Sequence, residues 1–184
     1  IGDAECDRAP LQATQFEADI RLADQVRSLW IEGGGGGNPG ESYSLAHLFA
    51  AMKTSTDAAE KRGRKGYLFT IGDEPNLDGV RKDQIKRVLG IEAQADMSAS
   101  DCLKIAQRDW EVFHVVLINE GRCKYDKTGV LKNWAGFMPK DRIIELQDVK
   151  ALAETVVSVI QVTEGARAED VAASWSGSTA VAVR

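Results

Sequence analysis

The sequence contains no run of eighteen apolar residues, and no basic start followed by an apolar stretch and a small-residue cleavage site. It therefore offers no candidate membrane-spanning helix and no export signal. It also lacks a basic excess: 23 Lys and Arg stand against 28 Asp and Glu, a formal charge of -5. Neutralising a phosphate backbone or an anionic lipid surface needs the opposite balance, so neither nucleic acid nor membrane is expected as a partner. The one basic cluster, "EKRGRK" (residues 60–65), reads as a solvated loop. Cysteine is scarce. Cys6, Cys102 and Cys123 are odd in number and unrelated in spacing, which excludes a disulfide framework and a zinc motif; idle thiols in a reducing cytoplasm are expected. With only two histidines, His47 and His114, and no Ser, Cys or carboxylate suitably spaced from either, no nucleophile and base set can be assembled. Both are expected to be hydrogen-bonded structural histidines.

What is present suffices for one α/β domain. Of the 184 residues 43% are hydrophobic, enough for a substantial core. Apolar spacing predicts a helix in "FEADIRLADQVRSLW" (residues 16–30), stopped by five glycines, and a second in "ESYSLAHLFAAMKT" (41–54). "GYLFTIGDEPN" reads as a buried strand ending in a turn, and "GVRKDQIKRVLG" as a helix closed by Gly90. A helix in "SASDCLKIAQRDW" then leads into "EVFHVVLI", the strongest strand pattern. A short helix in "GVLKNWAGFM" follows, then a strand in "DRIIEL", a long helix through "DVKALAETVVSVIQVTEG" and a last one in "RAEDVAASW". Strands rich in Val, Ile and Phe, separated by helices, predict a doubly wound, mostly parallel sheet covered on both faces. Residues 1–165 are expected to form this domain, and 166–184 a short helix and tail. Because the chain opens with Ile1 in what resembles a strand end, "IGD", it is expected to be a piece of a longer protein whose first strands lie upstream.

The glycine-rich stretch "GGGGGNPGES" (33–42) carries the most chemistry. From Gly35 it reads G-x-x-x-x-G-E-S, with Glu41 where a phosphate-binding loop has lysine. Exchanging a positive for a negative charge about 4 Å from a phosphate alters the Coulomb energy by several kcal/mol at an effective dielectric of about 20. The segment before the loop is also helical in pattern, where a phosphate loop follows a buried strand. A hard cation suits the loop better, since Mg²⁺ takes one or two carboxylates plus hydroxyls and waters. Parallel sheets place ligands beyond the carboxyl ends of their strands. Asp73, directly after a strand, is expected at that edge with Glu41 and Ser42. Simpler roles exist for all three: Ser42 as a helix cap, Glu41 as a complement to the helix dipole, Asp73 as a turn residue.

The order of "GGGGGNPGESYSLAHLFAA", "KGYLFTIGDEPN", "EVFHVVLI" and "RIIELQDVKALAETVVSVI" resembles the latter two-thirds of a von Willebrand factor A domain of the bacterial, intracellular kind. The resemblance implies a Rossmann-like fold and a metal-ion-dependent adhesion site (MIDAS) binding Mg²⁺, or Mn²⁺ or Ca²⁺. Asp73 would match the motif that ends the fourth strand, and Glu41 or Ser42 would replace the family's threonine. It further implies Asp3 and Asp7 near the metal-bearing rim, and Asn38 and Glu74 beside the two ligand loops complete the candidate binding set. The function it implies is non-enzymatic: a partner protein, and neither nucleic acid nor membrane, completes the cation's coordination with its own carboxylate, and an AAA+ ATPase or a multi-protein assembly is the expected kind of partner. The readings weighed against it are a nucleotide-binding or hydrolysing enzyme using residues 35–42, and a metal-free structural subunit. The family's first motif, Asp-x-Ser-x-Ser, has a literal match at Asp96, Ser98 and Ser100, but no buried strand precedes it, and Ser98 or Ser100 is expected to cap a helix instead. Asp73 and Glu74 as adjacent residues point apart and do not suit a shared acid and base role. The four tryptophans, at element ends, are expected to be packing anchors.

Overall fold

A computed structural model describes residues 1–33 and 37–175. Three parallel strands form the sheet: β1 (Gly66–Gly72), β2 (Trp110–Leu117) and β3 (Ile143–Leu146), in the order β1-β2-β3. β2 is central, and its register sets Phe69 opposite Phe113, Thr70 opposite His114 and His114 opposite Ile143. This is an α/β fold with a small open sheet. The strand order is sequential, so among the described residues it contains no reversal of the kind that marks a doubly wound sheet.

Alternation along β2 divides the core. Val112 and Val116 join Tyr43 of α2 (Tyr43–Lys53) and Val130 and Trp134 of α6 (Cys123–Ala135). Val115 joins Leu146 and Ala151 on the opposite face, with Leu152 at the start of α7 (Leu152–Thr163) packed against them. Both faces of the sheet are thus covered, as the apolar strands required. A third cluster sits between α2 and α5 (Ala99–Ala106), where Leu45 and Leu48 meet Cys102 and, from the segment after β1, Ile85 and Leu89.

Local chemistry explains most boundaries. α3 (Asp57–Arg62) starts where Thr56 accepts the Ala59 N–H and stops at Gly63 in the left-handed region. α4 (Lys82–Gln84) runs on as a π turn, Ile85–Leu89, ended by Gly90 at φ 65°. Ser98 caps α5 by accepting the Asp101 N–H, while Asp96 accepts the Lys82 N–H, so the literal Asp-x-Ser-x-Ser match is a turn and a cap, as expected. α6 begins six residues before its expected start and breaks at Asp126, whose carboxylate accepts the Gly129 N–H and recaps the remainder. α7 and α8 (Ala168–Ser174) follow in the expected places.

The first expected helix is mostly absent. Only α1 (Arg21–Arg27) forms, with no buried residue, leaving Phe16, Ile20, Val26 and Trp30 exposed. Gln12 bonds both the N–H and the C=O of Trp30, removing that residue from any helix, and a short helix without a packed face is marginal in water. Trp30 is therefore no packing anchor, whereas Trp134 and Trp110 are. The 60–65 cluster is exposed throughout, and all three cysteines are free. Among the described residues no helix is long and apolar enough to cross a membrane.

Candidate functional site

The two loops expected at the carboxyl end of β1 do meet there. Glu41 donates its N–H to Pro75 O and accepts the Leu77 N–H, each at 3.0 Å, so the end of the glycine loop lies in strand-like register with the segment after β1. Gly40 makes this approach possible, since a Cβ there would sit 2.7 Å from Pro75 O. Asn76 locks the junction: its side chain accepts the Ser44 N–H at 2.9 Å, and its own N–H bonds Asn133 of α6 at 2.9 Å.

Ser42 and Asp73 are each occupied by other bonds. Ser42 precedes α2 without capping it; its Oγ accepts the Ala4 N–H at 2.9 Å and so ties the chain start to the loop. Asp73 turns towards the segment between β2 and α6, where its Oδ2 accepts the Arg122 N–H at 2.6 Å and its carbonyl takes the Cys123 thiol. Gly121 is needed beneath it, for at φ 28° a Cβ would lie 2.1 Å from Asp73 Oδ2. The carboxylate thus serves the start of α6, the turn role that the sequence left open.

The remaining candidates converge. A cavity of about 400 Å³ is lined by Asp3, Asp7, Asn38, Glu41 and Glu74, and neither Asp73 nor Ser42 is among its lining residues. Asp3 is almost wholly buried; it accepts the Glu5 N–H and the Asn38 amide, while its own N–H goes to Asp7. Glu41 differs from these. Its Oε2 is buried without a hydrogen-bond partner, and burial, then the charges of Glu74, Asp7 and Asp3, push its carboxyl up to about 7. Burial and the neighbouring Asp73 raise Glu74 as well. Sequence reasoning missed Glu32, which also lines the cavity and accepts the Arg8 and Ala9 N–H groups; its place immediately before the glycine run was the available signal. Among the described residues no Lys, Arg or His side chain lines this space, and Leu29, Trp30 and Ile31 add apolar surface to its lining.

No family model matches the chain, no curated protein matches it, and no solved structure matches its fold.

Such a cavity attracts a positive charge. Among the described residues no group of three or more His, Cys, Asp or Glu is placed to hold a metal ion as the side chains stand. A cation here would rest on one or two carboxylates and fill its other positions with water, the habit of Mg²⁺ rather than of Ca²⁺ or Zn²⁺. The hard-oxygen donor set and the unpartnered Glu41 oxygen fit that requirement. A phosphate would meet Glu41 and four further carboxylates, and Gly35, where the phosphate-loop pattern begins, lies outside the described residues.

Proposed function

We propose that the chain is a non-enzymatic binding module of the von Willebrand factor A kind, which takes a divalent cation beside Glu41 and engages a protein partner through it. The observation that carries the proposal is the partnerless, buried Glu41 Oε2 in a cavity with five carboxylates and, among the described residues, no basic side chain. Glu41 would be the anchoring ligand, with Glu74 and Asp7 as its nearest acidic neighbours. When bound, the cation supplies an open coordination position for a carboxylate of the partner. The chain's own residues do the rest: the Glu41 backbone pairing fixes the ligand loop to the sheet edge, and Asn76 holds α2 to α6 behind it. An AAA+ ATPase or a multi-protein assembly is the kind of partner that the sequence resemblance suggests. In this reading Asp73 departs from the family's pattern, acting on α6 and not on the cation.

Calorimetry with Mg²⁺ and Mn²⁺ at pH 8 tests it. Wild type and Asp73→Asn should give the same binding heat, and Glu41→Gln none. Equal heats from wild type and Glu41→Gln would remove the site, and no heat from wild type would leave the metal-free structural subunit.

A second reading is favoured by the apolar lining. Leu29, Trp30 and Ile31 line the same cavity as the carboxylates, a mixture that suits the stem and head of a partner's own Lys or Arg, with Trp30 available to a cation–π contact. Binding of a basic peptide that survives EDTA would select it.

A further inference from the structure

His47 on α2 and His114 on β2 are both completely buried in the interface between that helix and the sheet. Of their four ring nitrogens only His114 Nδ1 has a hydrogen-bond partner, Thr70 Oγ1 at 2.8 Å. His47 therefore departs from the hydrogen-bonded role expected of it. Aromatic groups enclose His114: the Trp134 ring stacks on it with centroids 3.4 Å apart, and Tyr43 meets it edge-on at 5.2 Å.

An unpaired buried polar group is costly, and Leu or Phe would fill either position without that cost. Retaining two such rings, one on each side of a helix–sheet contact, makes the contact conditional on both staying neutral. We infer that the His47 and His114 pair is an acid-sensitive latch that holds α2, and with it the Glu41 end of the cavity, on the sheet. Whatever occupies the cavity, the latch concerns the helix behind it.

The surroundings support this. Tyr43 of α2, Cys102 of α5 and Cys123 of α6 are the titratable groups packed in the buried clusters here, and burial drives each towards its neutral form. The charged side chains of α2, α5 and α6 are all exposed, β1 carries none, and the Glu111 of β2 pairs with Arg142. Glu41, Asp73 and Glu74 act on Tyr43, but among the described residues no carboxylate lowers the cost of charging either ring, and the Thr70 bond to His114 is the one contact that favours an imidazolium. Burial lowers His47 to about 4, and burial together with His47 lowers His114 to about 3, both from 6.5. The unfolded or released rings take up protons first, so the latch is intact above about pH 6.5 and weakens as pH falls towards 4.

Hydrogen exchange from pH 7 to pH 4, corrected for intrinsic rates, tests the latch in the full chain. Amides of α2 should lose protection by about tenfold or more between pH 6.5 and 5 while those of β2 keep theirs, because each pH unit below the released-ring value is worth up to tenfold. In His47→Leu/His114→Phe, which keeps the stack on Trp134, α2 protection should not change over that range. Should the double variant fail to fold, the wild-type imidazole resonances decide: both are expected to stay neutral to below pH 5. Loss of α2 protection equally in the variant, simultaneous loss in β2, or imidazoles titrating near 6.5 would each overturn the latch. Cation heat at pH 8 reports separately on the proposed function.

Discussion

Glu41→Gln should stabilise the ligand-free protein, and only at high pH. The folded carboxyl titrates at about 7 against an ordinary 4.5. For a fully sheltered group that difference corresponds to about 3 kcal/mol, and because Glu41 is only half-buried, solvent screening reduces it to about 1–2 kcal/mol. The sign follows from proton counting. Between 4.5 and 7 the folded state holds a proton that the unfolded state has released, so stability falls as pH rises through that window and stays low above it. Gln is neutral throughout and nearly the same shape. Urea unfolding in EDTA should therefore show Glu41→Gln about 1–2 kcal/mol more stable than wild type at pH 8 and about equal to it at pH 5. Adding Mg²⁺ at pH 8 should close the gap by stabilising wild type alone. A variant less stable than wild type at pH 8 in EDTA would refute the account, since it would mean that the carboxylate contributes favourable contacts when charged.

Asp73→Asn should lower stability by about 1 kcal/mol through the weakened bond to the Arg122 N–H, with cation heat intact; thermal melts and calorimetry check the two halves. Gly72→Ala should cost on the order of 2–3 kcal/mol, because its Cβ would fall 1.8 Å from the Tyr43 hydroxyl oxygen; an unchanged denaturation midpoint would show that Tyr43 yields freely. Trp134→Ala should cost about 3–5 kcal/mol in the same assay, the range for a fully buried indole that also stacks on a neighbour.

The strands and most helices were legible because their signals are local. "EVFHVVLI" is apolar on both faces and becomes the central strand, and Gly90 and Ser98 end and begin helices by their own backbone and side-chain chemistry. Residues 16–30 misled for the complementary reason: their helical spacing promises a buried face that no described surface provides. At the site, sequence order brought the right loops together but not the right side chains. Glu41 meets the segment after β1 through backbone bonds that any residue could make, whereas the fates of Ser42 and Asp73 depend on Ala4 and Arg122, distant in sequence. Glu74 rather than Asp73 faces the cavity because adjacent residues at a strand end point apart.

That same helix start joins two opposed titrations. Glu41, just before α2, makes the fold less stable as pH rises from 4.5 to 7, while His47, within α2, and His114 beneath it make it less stable as pH falls below 6.5. Neither effect alone gives an optimum, but together they place the greatest stability of the ligand-free protein at about pH 7, where the roughly half proton still held by Glu41 in the folded state is balanced by the roughly quarter proton each released histidine would take up. A cation on Glu41 favours the ionised carboxylate and removes the alkaline decline, so unfolding free energies measured in Mg²⁺ should reach their maximum at a higher pH than in EDTA. In Glu41→Gln the optimum should move upward without metal, and in the double histidine variant it should move downward. An optimum that stays in place in both variants would separate α2 from either titration, and with it the link between the cavity and the latch.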